Sequence, residues 1–269
     1  MPFRPDAGPT AKNALVTEDP CPHLNLVIMG GPGCGKGTIC KAIVEKFGVV
    51  HVSVGDILRK REHDGSDIGE QVHEYITSGR LVPDELAIAI VKEELAREDC
   101  KHKGWLLDNF PRTVDQAVAM IDARIIPHKY IHVEVPDHIL IERCLGRLID
   151  PVTGDIYHKT CNPPPSDEIA ARLVQREDDR EEAVKRRLEL FHDNMDGVID
   201  FLDEIRREFD GQTPPADLAA QILAHIKPDA PLYAFESARP AVTSADDVRE
   251  AFNARQEEAP PPPPPGGGG

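Results

Sequence analysis

The sequence predicts an α/β protein in three layers, a parallel sheet with helices on both faces. Three observations predict it. Short, nearly continuous apolar runs recur at 24–29, 49–53, 104–108 and 130–135, as expected of strands buried on both sides. Between them lie stretches whose apolar residues repeat every three or four positions, the spacing of one helix face. The first run passes through a glycine-rich turn straight into such a helix, the strand–turn–helix order of a parallel βαβ unit.

Leu24-Asn25-Leu26-Val27-Ile28-Met29 reads as the first strand, followed by Gly30-Gly31-Pro32-Gly33-Cys34-Gly35-Lys36-Gly37-Thr38. Glycines let a backbone fold tightly and turn its N–H groups inward, and a helix N-terminus adds partial positive charge, so this turn suits a phosphate. Lys36 is placed to reach the outer phosphates. Ile39, Ala42, Ile43 and Phe47 then mark one helix face, and Val49-Val50-His51-Val52-Ser53 a second strand in which His51 reads as a strand residue rather than a catalyst. Ile68, Val72 and Ile76 share a face of a short helix that Gly79-Arg80-Leu81-Val82-Pro83 ends. Pro83-Asp84-Glu85 opens a longer helix carrying Leu86, Ile90, Val91 and Leu95.

Gly104-Trp105-Leu106-Leu107-Asp108 is the next strand, and an acid at the carboxyl end of a strand beside a phosphate loop can hold Mg²⁺, directly or through water. Asn109-Phe110-Pro111-Arg112-Thr113-Val114-Asp115-Gln116 then turns into a helix presenting Arg112 and Gln116. After Tyr130-Ile131-His132-Val133-Glu134-Val135, the residues Ile139, Leu140, Arg143, Cys144 and Arg147 fall on one helix. From 148 to 179 the periodicity changes to turn chemistry, with Pro163-Pro164-Pro165, and reads as an insertion. A long charged helix over 180–208 follows, striped by Leu188, Phe191, Met195 and Val198, and a helix over Leu218, Ile222 and His225 closes the unit.

The composition narrows the partners. Of 269 residues, 40% are hydrophobic and 29% charged, ordinary for a globular chain, and no apolar run approaches the roughly 20 residues of a membrane span. A formal net charge of −16 argues against nucleic acid or an acidic membrane surface, and requires any nucleotide to be met by a local arginine cluster. Cys21, Cys34, Cys40, Cys100, Cys144 and Cys161 form no C-x-x-C pair and read as reduced thiols of an intracellular, cytoplasmic protein, with an organellar or tethered location as the other reading. Residues 1–23, with Asp6, Glu18 and Asp19, read as a disordered lead rather than a transit peptide.

Several motifs in register resemble the nucleoside monophosphate kinases, adenylate kinase above all, over 24–228. The phosphate loop places Gly37, not Ser or Thr, directly after its lysine, an ending similar to that family's. Ser53-Val54-Gly55-Asp56-Ile57-Leu58-Arg59 resembles the opening of the family's monophosphate-binding subdomain, here 53–82, and Asp108-Asn109-Phe110-Pro111-Arg112-Thr113 its aspartate-glycine-phenylalanine-proline-arginine signature. Arg143-Cys144-Leu145-Gly146-Arg147, Tyr157-His158, Asn162-Pro163-Pro164 and Arg176-Glu177-Asp178-Asp179 resemble the opening, body and exit of a long lid, here 146–179, and Lys185-Arg186-Arg187 the helix after it. The resemblance implies a P-loop fold with these two subdomains inserted, and reversible phosphoryl transfer from Mg·ATP to AMP giving two ADP. It implies ATP contacts from Gly31, Gly33, Gly35, Lys36, Gly37, Thr38, Arg143 and Tyr157. AMP contacts fall to Val54, Arg59, Val82, Asn109, Arg112, Gln116, Arg176 and Arg187. By the same resemblance, Lys36, Arg112, Arg143, Arg147, Arg176, Arg187 and Asp108 are expected to carry the reaction, with magnesium near Asp108 and Thr38. Planar guanidinium forks suit phosphate, whereas Arg80, Arg172 and Arg180 read as surface charges.

Three departures stand out. Val54 replaces the family's Thr or Ser, Asn109 replaces Gly, and the segment before Asp210 is short for the family's last strand. Cys161 and His158 cannot complete a tetrahedral set, so no zinc is expected. Gln116 favours AMP over the alternative, a UMP/CMP kinase. A second alternative is a kinase-fold subunit acting through the tail 229–269, whose apolar residues Leu232, Tyr233, Phe235, Val248 and Phe252 precede six prolines and four glycines. The kinase unit is expected to be a monomer, with the tail as its possible protein contact.

Overall fold

The computed structural model describes residues 24–62 and 67–226. The expectations for the lead 1–23 and the tail 229–269 lie outside the described residues. In chain order the strands are β1 (Leu24–Gly30), β2 (Val50–Ser53), β3 (Gly104–Asp108), β4 (Lys129–Glu134), β5 (Arg147–Ile149), β6 (Ile156–His158) and β7 (Arg206–Asp210). The helices are α1 (Lys36–Phe47), α2 (Val54–Glu62), α3 (Asp67–Ser78), α4 (Asp84–Leu95), α5 (Glu98–Lys103), α6 (Val114–Asp122), α7 (Asp137–Leu145), α8 (Asp167–Arg172), α9 (Glu181–Leu202) and α10 (Pro215–His225).

Five strands form one parallel sheet in the order β2-β3-β1-β4-β7, and β5 and β6 pair as a separate antiparallel hairpin. The centre of the sheet is β1, where Leu26, Val27, Ile28 and Met29 are fully buried. Successive side chains leave a strand on opposite faces. Leu26 and Ile28 accordingly join one core with Ile39 and Ile43 of α1, Leu140 of α7 and Leu218 and Ile222 of α10. Val27 and Met29 join the other with Ile90 and Val91 of α4, Met120 of α6 and Met195 and Val198 of α9. Each such buried side chain is worth about 1.5–3 kcal/mol. The long α9 serves both cores, giving Val184 and Leu188 to the first and Met195, Val198 and Leu202 to the second.

From β1 the chain crosses to β2 on one side, and from β3 it crosses to β4 on the other. Between these two strands the order reverses, which opens a crevice at their carboxyl ends. The glycine turn after β1 and the Asp108–Arg112 turn after β3 both emerge there.

Three expectations are corrected, and one element is added. The charged helix spans Glu181–Leu202, not 180–208, because its apolar stripe stops at Leu202. The last strand does form, as β7, and pairs with β4 from Tyr130↔Arg206 to Glu134↔Asp210. It is an edge strand with only Phe209 buried, so its polar sequence hid it. Arg147 leaves the helix, which ends at Leu145 with Gly146 as cap, and opens β5 instead. The short helix α5, with one buried residue, Cys100, was not anticipated.

Candidate active site

The glycine turn is held by backbone geometry. Gly30, Gly33 and Gly35 all take positive φ. At Gly33 (φ 85°) a Cβ would lie 2.9 Å from the Leu140 carbonyl oxygen, so only glycine fits. The Lys36 Nζ folds back over the turn, donating to the carbonyls of Gly30 at 2.6 Å and Gly31 at 3.1 Å. No acidic residue occupies the first turn of α1, leaving its N-terminal partial charge to an anion. Gly31 is buried, Gly37 half-buried and Thr38 exposed.

Opposite this turn the arginines are held by charge. Arg176 clasps the Asp178 carboxylate through two bonds of 2.8 and 2.7 Å. Arg187 Nη1 donates to the Asp178 carbonyl at 2.8 Å, and lies 3.1 Å from its carboxylate and 3.5 Å from that of Asp179. Arg147 forks the Asp179 carboxylate, and Arg59 pairs with Asp56. Burial alone would raise the Asp178 carboxyl, but Arg187 and Arg176 hold it well below the carboxylate range. Burial, then the neighbouring Arg187, push Arg112 down to about 10, and burial also lowers Arg187. Burial followed by Arg176 lowers Arg59. Crowded, poorly solvated guanidiniums of this kind gain from a further anion.

One pocket is lined by Val54, Arg59, Val82, Asn109, Arg112, Gln116 and Arg187. A neighbouring cleft shares Asn109, Arg112 and Arg187 and runs to Gly30 and Pro32 of the glycine turn. Seven of the eight residues expected to hold a monophosphate therefore meet in one place. The eighth, Arg176, joins them through Asp178. Asn109 sits at φ 67°, the left-handed region glycine would hold without cost and Asn tolerates better than most residues. Its carbonyl accepts from Arg112 Nε at 3.0 Å. The Gln116 amide is buried and fixed: its oxygen accepts from the Arg112 backbone N–H, and its nitrogen donates to Asp84, both at 2.8 Å.

Asp108 ends β3 with Oδ2 3.3 Å from His51 Nε2, while its buried Oδ1 meets no partner among the described residues. Arg143 spans from α7 to the Gly211 carbonyl, both Nη atoms at 3.2 Å. Tyr157 lies on β6 opposite Leu148. The inserted hairpin touches the glycine turn's helix through neighbours of Tyr157: Asp155 pairs with Lys41 at 2.9 Å, and a Cβ at Gly37 would lie 3.9 Å from Ile156 Cδ1. Arg172 is not a free surface charge, since its guanidinium grips the fully buried Asp150 at 2.9 and 2.6 Å. Arg80 is exposed, pairs with Glu74 and stacks over Tyr75, but it also lines the pocket of Arg59, Arg112 and Gln116, so it is not a plain surface charge either; Arg180 is exposed.

Sequence reasoning missed three supporting acids and one histidine. Asp178 and Asp179 stood inside a quoted motif; their position between Arg176 and Arg187 was the available signal. Asp84 was read only as a helix opener, and His51 only as a strand residue.

A family model described as "Adenylate kinase" matches residues 28–206. The chain is 42% identical over 219 residues to a "Probable adenylate kinase 2, chloroplastic" of Oryza sativa subsp. japonica, covering 81% of this chain and 75% of the relative. It is 44% identical over 182 residues to an "Adenylate kinase, chloroplastic" of Zea mays, covering 68% of this chain and 82% of the relative.

Proposed function

The chain belongs to the adenylate kinase family, whose reaction is the reversible conversion of ATP and AMP to two ADP, and we propose how its own residues divide that work. The observation that carries the proposal is the meeting of Arg59, Arg112, Arg147, Arg176 and Arg187 between the glycine turn and the Gln116 pocket, in a chain of net charge −16. In-line transfer between two nucleotides asks for positioning and charge neutralisation, not for a covalent nucleophile.

Gly31, Gly33, Gly35, Gly37 and Thr38 cradle the ATP phosphates, with Lys36 moving from the Gly30 and Gly31 carbonyls onto them. Arg143 and Tyr157 flank the same nucleotide. Arg59 and Arg112 take the AMP phosphate, and Arg147, Arg176 and Arg187 gather on the group in transit. The buried Asp178 and Asp179 orient these guanidiniums without neutralising them all. The residues around Asp108 fit magnesium: a carboxylate oxygen, buried and without a partner among the described residues, stands beside the end of β1 where the phosphate turn begins, and Thr38 is exposed in the first turn of α1. When bound, the ion neutralises phosphate charge. The segment 146–179 acts as a lid that excludes water from the transfer, and 53–82 closes over the monophosphate.

Gln116 sets the acceptor. Asp84 can only accept, so it fixes the amide nitrogen on its own side and leaves one N–H and one oxygen lone pair. That donor–acceptor pair matches the edge of adenine. Val54 and Val82 supply apolar wall. ADP formation measured against AMP, CMP, UMP and GMP tests this, with AMP expected to lead in kcat/KM by at least ~10²-fold. Comparable values for CMP or UMP would move the protein to the pyrimidine branch.

The two relatives carry a plastid location in their names, and no helix among the described residues is long and apolar enough to cross a membrane. Imaging of the full chain as a fluorescent fusion separates a plastid location from a cytoplasmic one.

A further inference from the structure

Beside the site, two side chains with donor chemistry that phosphoryl transfer does not use, those of Cys40 and His51, meet Asp108. Cys40 lies on α1 one turn past Lys36, His51 on β2, and Asp108 at the end of β3. Their sulfur, ring-nitrogen and carboxylate atoms all lie within 4.8 Å of one another. Three chain segments far apart in sequence converge here because β2 pairs with β3 and α1 packs over the sheet. Cys40 is fully buried, whereas His51 is exposed and provides a way in from solvent. One carboxylate oxygen of Asp108 already faces His51, and the other is buried without a partner.

We propose that Cys40, His51 and Asp108 form a binding site for a borderline-soft divalent cation of the zinc class. Thiolate and imidazole favour such ions, while magnesium prefers an all-oxygen shell. A tetrahedral ion with Zn–S of ~2.3 Å and Zn–N/O of ~2.0–2.2 Å holds its ligands roughly 3.3–3.5 Å apart; His51 Nε2 and Asp108 Oδ2 already stand 3.3 Å apart, so any adjustment falls on the Cys40 sulfur. Three protein ligands leave the fourth position to water. Binding breaks the Cys40 S–H bond, forms a sulfur–metal bond and releases the proton to solvent, with no change of oxidation state. Burial first, and then the Asp108 carboxylate, push the Cys40 thiol well above its ordinary range, so the ion itself must displace that proton; the Asp108 and Asp56 carboxylates favour the cation electrostatically and Lys36 opposes it. This set is separate from His158 and Cys161 of the lid hairpin.

Occupancy removes Asp108 from magnesium and so inhibits the kinase; that consequence rests on the reading of Asp108 given above. The test uses the full nucleotide-free chain titrated with Co²⁺, whose thiolate ligation gives a charge-transfer absorption, followed by displacement with Zn²⁺. One equivalent with a thiolate band is expected. Cys161→Ser should retain the band, Cys40→Ala should lose it, and His51→Gln, folded by circular dichroism, should weaken binding at least tenfold. Should Cys40→Ala not fold, the His51→Gln titration decides alone. The absence of a thiolate band, a band surviving Cys40→Ala, a band lost with Cys161→Ser, or undiminished binding in His51→Gln would each overturn the site. The second readout is Zn²⁺ inhibition of ADP formation in excess Mg·ATP, expected to need at least tenfold more zinc in His51→Gln than in wild type. If cobalt binds through Cys40 but zinc leaves turnover unchanged, the metal site stands and the assignment of Asp108 to magnesium is what fails.

Discussion

The glycine turn and the arginine cluster border the same cleft but are built from different materials. The turn is organised by backbone: positive φ at Gly30, Gly33 and Gly35, and a lysine resting on two carbonyls. The cluster is organised by side-chain charge: Arg147, Arg176 and Arg187 are aimed by Asp178 and Asp179, which are 6% and 0% exposed. A backbone site is ready before any ligand arrives and resists salt, because its donors are fixed by chain geometry. A side-chain site needs its own counter-ions while no substrate is bound. On the proposed function, Asp178 and Asp179 thus stand in part where phosphate charge would later stand. Removing an acid should therefore damage the empty protein more than the loaded one, whereas damage to the turn should act mainly on catalysis.

The largest effect should come from Asp179→Ala. Its carboxylate is fully buried, and truncation strands the Arg147 guanidinium. Breaking one side of a buried pair costs about 3–5 kcal/mol. Thermal unfolding without nucleotide should show this loss, and saturating ATP plus AMP should raise the variant's midpoint by more than it raises the wild type's. Equal increments would mean that Asp179 acts through packing alone. Asp178→Asn extends the comparison to pH. The Asp178 carboxyl is depressed in the folded state, so its contribution is fully present above the unfolded value of about 3.9 and fades only as pH falls below it. Wild type and variant should differ by a constant amount from pH 5 to 8 and converge under strong acid.

Next is Lys36→Met on the backbone side. The fold should survive, since among the described residues Nζ contacts only loop carbonyls and the Cys34 sulfur. Losing one positioned charge in the transition state costs about 2.7–4 kcal/mol, on the order of 10²–10³ in kcat. A folded variant with near-normal turnover would remove the lysine from the mechanism.

Gly33→Ala should cost less and split differently. A side chain in the left-handed region costs roughly 1–2 kcal/mol, and this one also meets the Leu140 carbonyl at 2.9 Å. The melting midpoint should fall by about 2–8 °C, together with ATP affinity. An unchanged ATP KM would show that the turn tolerates rearrangement and is not prebuilt.

What was legible in the sequence follows the same division. The central strands were readable because residues such as Leu26 to Met29 are buried on both faces and leave a continuous apolar run. The glycine turn was readable because backbone demands select residue types directly. The edge strand β7 was not, since Arg206-Arg207-Glu208 face solvent or half-face it, and only ladder bonds to β4 define it. In the inserted segment, α8 carried a signal that went unread: Ser166 caps it by accepting from the Ile169 N–H, with Asp167 and Glu168 in the first turn. The pairing of Arg172 with Asp150, of Gln116 with Asp84 and of His51 with Asp108 depends on contacts across many residues, which no local pattern encodes.

The smallest effect tests how the two regions are coupled. Lys41 on α1 and Asp155 on the lid hairpin pair at 2.9 Å, with side chains 76% and 45% exposed. Lys41 lies one turn and a half beyond Lys36, so the pair ties the backbone-built helix to the segment proposed to close over it. Pairs this open are weak and screened by salt, since both partners stay hydrated and two long side chains must be ordered. Lys41→Ala should leave the melting midpoint nearly unchanged. If the pair biases the hairpin toward the closed position, the variant should raise the ATP KM by less than about fivefold, with AMP KM unaffected. The wild type should approach the variant's ATP KM as ionic strength rises, while the variant itself changes little. A charge reversal, Lys41→Glu with Asp155→Lys, should restore the low-salt value. If the single variant matches wild type at low salt, the contact plays no part in closure, and the turn and the lid act on ATP independently.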